Sequence, residues 1–169
     1  KVTVNKISIN RNSLLELEKN LLLFYIGKTR NSSNILREQI KLITEKNQET
    51  LNALHYAKEL SEKMYSSLSQ SDTTKFGELL NAGWESKKKF SNGVTNEYVD
   101  QLYNLAIKSG AFGGKLTGAG GGGHLLFYCE PSKQKNLIEK MQSQGLKQVQ
   151  SRFYESGCKV LDLYDFTNS

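Results

Sequence analysis

Between Gly113 and Gly123 the chain reads GGKLTGAGGGG, seven glycines in eleven positions. Glycine inside a helix or strand costs roughly 0.5–1 kcal/mol relative to alanine, so such a segment is expected to be a loop in which backbone itself meets whatever lies opposite. The pattern before it is helical and ends at Gly110, and the apolar run Leu125 to Cys129 after it reads as a strand. A fold for this chain must therefore join a helix to a strand through a loop with almost no side chains.

Two nucleotide motifs are tested by that context. Gly118-Ala119-Gly120-Gly121-Gly122-Gly123 satisfies G-x-G-x-x-G in spacing. That fingerprint, however, needs a strand before the glycines and a helix after them, with the pyrophosphate on the helix N-terminus. Here the order is reversed. The P-loop pattern G-x-x-x-x-G-K-[ST] also fails, because Gly118, five after Gly113, is followed by Ala119. What remains is a loop carrying Lys115 and Thr117, whose glycines suit close approach of an anion or a second loop; a permissive connection without a ligand is the alternative.

The rest of the sequence divides into short elements. Val2, Val4, Ile7 and Ile9 alternate with one slip, which predicts a strand with a bulge. Leu14, Leu15 and Leu17 fit a short helix, and Leu21 to Ile26, unbroken and closed by Gly27, a buried strand. Leu36, Ile40 and Ile43, then Ala53, Ala57, Leu60, Met64 and Leu68, recur at helical spacing, as one long helix or two joined near Asn47. Asp72 is placed to cap a helix with the face Phe76, Leu80 and Trp84. A further helix is expected from Thr95, stapled by Val94 and Val99, and another from Pro131 to Gly145, with Leu146 packing on Met141 in a Schellman cap. Val149 and 160–163 are the last strand candidates. Runs of helices between strands predict an α+β fold, helices stacked on one face of a mainly antiparallel sheet.

Composition narrows the function. A chain of 169 residues, 37% hydrophobic and 24% charged with one proline, is expected to fold as one ordered domain. The run Leu21 to Ile26 is far short of the ~20 apolar residues that span a bilayer, so no membrane role is expected. No basic segment followed by an apolar one opens the chain, and Cys129 and Cys158 have no C-x-x-C spacing, so a cytoplasmic setting is expected. The start at Lys1, directly in a strand-like pattern, suggests a piece of a longer chain. The net charge of +6 suits nucleic acid, membrane surface or an anionic metabolite alike. Nucleic acid is disfavoured because basic residues are not clustered with aromatics. Lys87-Lys88-Lys89 is the one basic run, read as a solvated helix face. Trp84 reads as core, His55 as helix surface, His124 as a hydrogen-bonded strand-edge residue, and both cysteines as buried strand residues.

Gly110 to Cys129, GAFGGKLTGAGGGGHLLFYC, resembles the third conserved motif of the galactokinase, homoserine kinase, mevalonate kinase and phosphomevalonate kinase (GHMP) superfamily. The helix around Trp84, with Lys87 and Lys88, and the segment LLFYIGKTRNSS from Leu22 to Ser33 are similar to the branch that phosphorylates D-glycero-D-manno-heptose 7-phosphate at the sugar C1. The resemblance implies a C-terminal, ferredoxin-like domain over residues 11–169, with residues 1–10 a strand at the boundary to a missing N-terminal domain. It implies sugar phosphate and ATP as ligands and that other domain as partner, with Mg²⁺ held in the full-length enzyme and neither cofactor held by this chain alone. Gly118, Ala119, Gly120, Gly121 and Gly122 would lie beside the ATP phosphates, and Thr29, Arg30, Ser32 and Lys115 on the sugar-phosphate side. No P-x-x-x-G-L-x-S-S stretch occurs, so no catalytic residue is assigned and the chain is expected to be inactive alone. A non-catalytic sugar-phosphate or anion-binding module is the competing expectation.

Overall fold

Side-chain caps set where the helices begin. In the computed structural model, which describes residues 3–27 and 32–154, Asn10, Asn47, Asp72 and Asn96 each accept a hydrogen bond from the backbone N–H three residues on. The helices they open are α1 (Arg11–Asn20), α3 (Gln48–Ser69), α4 (Thr73–Lys87) and α5 (Glu97–Lys108). Two further helices, α2 (Ser32–Thr44) and α6 (Pro131–Ser143), complete the set. The expected break near Asn47 is a cap between α2 and α3, and the expected start at Thr95 moves to Asn96, because Thr95 Oγ1 is engaged by Asp100 instead. Helix α6 ends as anticipated: Gly145 (φ 80°) donates to Gln142 O and Leu146 to Met141 O, the paired bonds of a Schellman motif.

Four strands, β1 (Leu21–Tyr25), β2 (Gly113–Leu116), β3 (His124–Tyr128) and β4 (Lys147–Val149), form one antiparallel sheet in the order β2-β3-β1-β4. The α+β expectation is borne out. Register puts Leu22 and Phe24 of β1 opposite Phe127 and Leu125 of β3, on the face that also carries Leu116. This face meets Val99, Leu102, Tyr103 and Ala106 of α5 and Leu137 and Met141 of α6, all of them buried, to make the main core. On the other face Tyr128 packs with Leu17 of α1 and Leu80 of α4 in a smaller cluster.

One expectation stays open and one fails. Residues 3–9, expected to pair mostly with a missing N-terminal domain, form no strand within this chain, and Val4 is 89% exposed; Val2 lies outside the described residues. Without a neighbouring strand the backbone groups of this segment have no ladder to join. On α2 the turn is rotated from the expected one: Ile35 is buried, while Leu36, Ile40 and Ile43 are 49%, 63% and 42% exposed. Residues 160–163 and Cys158 lie outside the described residues. Among those described, no helix is long and apolar enough to cross a membrane.

The sheet's β2 edge is closed by α4 and by one hydroxyl. Tyr103 Oη accepts from Gly114 N–H at 3.1 Å and lies 2.8 Å from Asn81 Oδ1, to which it donates, so this stretch of edge backbone is paired. Burial pushes the Tyr103 hydroxyl's pKa well up, which keeps its proton in place. Helix α4 lies so near the strands that a Cβ on Gly113 would stand 2.5 Å from Asn81 N, and one on Gly77 would enter the Tyr128 ring. That ring cannot yield: it is fully buried, and its hydroxyl is held 3.0 Å from Asn20 Nδ2 and 2.9 Å from Thr73 Oγ1. Gly77→Ala is therefore expected to lose about 1–3 kcal/mol by overpacking, despite the ~1 kcal/mol that alanine gains over glycine in a helix. A lower urea midpoint at unchanged slope is the expected readout; a raised midpoint would show that helix and ring separate freely.

Candidate phosphate-side loop

The glycine segment is shorter as a loop than its sequence suggests. Gly113 to Leu116 is strand β2, paired to β3 from Gly113↔Tyr128 to Leu116↔Leu125, so the loop proper runs from Thr117 to Gly123 as the β2–β3 connection. Its ends are tied: Thr117 N–H and Oγ1 donate to His124 O, and Ile26 N–H donates to Gly123 O. Gly118, Gly120, Gly121 and Gly123 have φ of 74°, 127°, 76° and 102°. At Gly120 the requirement is double, because a Cβ would also stand 2.6 Å from Val94 O.

The loop rests on the α4–α5 connection behind it. Val94, fully buried, accepts from Gly121 N–H at 2.9 Å, and Asn96 Nδ2 reaches Gly121 O at 3.5 Å while its Oδ1 caps α5. The N-terminus of α5 thus abuts the glycines, although Glu97 and Asp100 in its first turn offset part of its positive end. Gly121's amide is spent on Val94, so it cannot serve as the phosphate donor expected of it. The amides of Gly118, Ala119, Gly120 and Gly122 donate to no protein acceptor among the described residues.

Of the four expected sugar-phosphate residues, Thr29 and Arg30 lie outside the described residues, and Ser32 is the first residue of α2. Lys115 is exposed on β2. It lies at a cavity of about 220 Å³ between α3 and α4, whose wall includes Leu60, Met64, Trp84, Lys87 and Phe90. Trp84 is fully buried, as expected for core, yet its Nε1 has no hydrogen-bond partner among the described residues. The reading of His55 as exposed also holds, and His124 stands at the start of a strand, β3, with its ring 5.1 Å from that of Tyr25. Cys129 is buried just after β3, and desolvation pushes its thiol up to about 11, so it is no nucleophile. Asp72 is a cap and Asp100 accepts from Thr95, which leaves neither as a base. Among the described residues no three His, Cys, Asp or Glu side chains are grouped to hold a metal ion.

The lysine run is not uniformly solvated, which corrects the sequence expectation. Successive helical side chains point about 100° apart, so three adjacent lysines cannot share a face. Lys88 pairs with Glu85 at 2.7 Å and Lys89 is exposed, but Lys87 turns inward, its Nζ 2.5 Å from Gly118 O and 3.3 Å from Leu116 O. Its place three after buried Trp84, on the same helical face, was the available signal. Desolvation, then the like charge of Lys115, pulls Lys87 from 10.5 to about 8. Between those values the unfolded chain holds the proton and the folded one releases it, so Lys87 adds stability as pH rises through that window. Relative to Lys87→Met, wild-type protein is expected to gain in urea midpoint between pH 7 and about 10; a difference that stays flat would refute the inward placement.

Comparison with known proteins follows this geometry. The family described as GHMP kinases C terminal matches residues 64–147, which contain α4, α5, the loop and β3. D-glycero-alpha-D-manno-heptose 7-phosphate kinase of Campylobacter jejuni is 33% identical over 144 residues, 85% of this chain and 42% of that protein. A solved structure of a putative sugar kinase from Campylobacter jejuni superposes with TM-score 0.62 at 30% identity, over 89% of this chain and 41% of the other. L. major mevalonate kinase, solved with R-mevalonate, shares the fold with TM-score 0.68 at 14% identity, over 76% of this chain and 40% of the other. The chain thus spans less than half the length of these relatives. Over residues 64–147, therefore, the chain carries the C-terminal domain of the GHMP kinases.

Proposed function

We propose that the protein containing this domain transfers the γ-phosphoryl group of ATP to the C1 hydroxyl of D-glycero-D-manno-heptose 7-phosphate. The observation that carries this reading is the 33% identity, over 85% of the chain, to a heptose 7-phosphate kinase. The geometry supports it: a loop with unspent amides beside two lysines suits the phosphate side of a phosphoryl-transfer site, where preformed donors stabilise charge on the transferring group.

In this reading the domain positions and the other half reacts. ATP supplies the phosphoryl group when bound, and Gly118, Ala119, Gly120 and Gly122 line its phosphates, with Gly121 holding the loop to Val94. Lys115, with Thr29, Arg30 and Ser32, takes the sugar-phosphate side, where an arginine fork grips a phosphate through paired N–H bonds. In this reading the metal, the nucleotide cradle and the base belong to an N-terminal domain that docks near residues 1–10. The setting is the cytoplasm. A second reading, a domain that binds sugar phosphate without catalysis, is favoured by the same amides and lysines.

Turnover of ATP and the heptose 7-phosphate by the longer protein and by this chain separates the readings. The longer protein is expected to yield a new C1 phosphate in phosphorus NMR and this chain none. Equal turnover by the isolated chain would end the divided-site reading. Phosphorylation of another sugar with none of the heptose would end the substrate assignment.

A further inference from the structure

Among the described residues, Lys87 is the only side chain outside the hairpin that donates a hydrogen bond to the first half of the β2–β3 loop, and the kinase reading counts its charge beside the amides without giving these two bonds a part. Its ammonium sits between the last carbonyl of β2 and the carbonyl of the first left-handed glycine, Leu116 O and Gly118 O. The peptide unit is planar and trans, so Gly118 C=O and Ala119 N–H point in opposite directions. Holding the oxygen from behind fixes the amide in front.

The next fixed plane is that of Gly120 and Gly121, whose N–H is bound to Val94 O. Between the two lies only the Ala119–Gly120 peptide. We infer that Lys87 is a positioning residue: clamped on the carbonyls of Leu116 and Gly118, it holds the peptide planes of the glycine loop so that its unspent amides keep one direction. Glycine at 118 makes that clamp necessary, since a peptide beside glycine rotates with little steric resistance.

Hydrogen-bond donors are what this place requires. An ammonium offers three donors from one point, and hydrogen bonds from charged groups are roughly twice as strong as neutral ones. Lys115 on β2 faces Lys87, while α3 lines the adjoining cavity with Ala57, Leu60, Ser61 and Met64, none of them charged. The neighbouring carboxylates of α4 and α5, Glu85 and Asp100, both engage Lys88. No carboxylate salt bridge diverts Lys87 from the carbonyls among the described residues.

Only the catalytic consequence rests on the kinase reading, so the test begins without nucleotide. In the 169-residue chain, ¹⁵N relaxation is expected to give Ala119 and Gly120 order parameters near the rigid value of about 0.85. In Lys87→Met they are expected to fall below about 0.6, with core strands unchanged, and Lys87→Arg to recover much of the order. Unchanged order in Lys87→Met, or a Lys87→Arg chain as loose as it, would overturn the inference.

Should Lys87→Met fail to fold, wild-type carbonyl ¹³C shifts replace it. Those of Leu116 and Gly118 are expected to titrate together with one midpoint below the ordinary lysine value, and shifts that stay fixed between pH 6.5 and 11 would overturn the clamp. In the longer enzyme, Lys87→Met is expected to lower kcat on the order of 10²-fold, as misplacement of a catalytic group does. KM for the sugar should change little. Loss in KM alone would assign Lys87 to substrate binding instead, whereas an enzyme inactive on heptose phosphate leaves the NMR result standing.

Discussion

The close approach of α4 to the edge of the sheet is the contact on which the other features depend. It exists because Gly77 and Gly113 bring backbone within reach of backbone and of the Tyr128 ring, with no Cβ between. Once α4 is seated there, Trp84 comes to 5.8 Å from Tyr103, which lies 5.5 Å from Phe127, and a row of aromatic rings links the helix to the centre of the sheet. The same seating aims the end of α4 at the glycine loop. A helix held farther out by side chains would leave Lys87 short of Gly118.

The layer behind α4 is joined to it by polar bonds at buried positions. Ser86 Oγ donates to Ala53 O at 2.8 Å and Thr50 Oγ1 to Phe90 O at 3.2 Å, so α3 and α4 are matched in register as well as by apolar contact. Unpaired buried hydroxyls would cost about 1–3 kcal/mol each, which makes a slide of one helix along the other unfavourable. The loop therefore rests on two independent supports, the end of α4 through Lys87 and the Val94 turn that leads into α5.

What the sequence conveyed well was local chemistry. Asp72, Asn47, Pro131, Gly145 and Leu146 act through groups a few residues away, and each stands where its neighbours indicated. What it conveyed poorly needed partners distant in the chain. Gly113-Gly114-Lys115-Leu116 has little strand propensity of its own; its pairing with β3 and its cover by α4 make it β2. Val2 to Ile9 had the alternation of a strand but, over residues 3–9, meets none. The exposed face of α2 shows the same limit, since helical periodicity finds a stripe without saying what covers it. At the site, the strand that follows the loop was legible from order alone, whereas β2 before it was not. Lys87 was not, because its neighbours Lys88 and Lys89 made a charged run look like a single surface.

Lys87, Val94 and Asn96 hold the loop through Gly118 O, Gly121 N–H and Gly121 O, while the amides of Gly118, Ala119, Gly120 and Gly122 donate to no protein acceptor among the described residues. An anion arriving at those amides therefore breaks no bond within the protein and orders no segment of chain, two costs that otherwise reduce affinity. The entropy of fixing these permissive residues was spent at folding, in contacts remote from the ligand side. On the proposed function, selectivity at such a surface rests on shape and charge, and the rate of release is set by the ligand's own contacts, with no refolding of the loop to slow it.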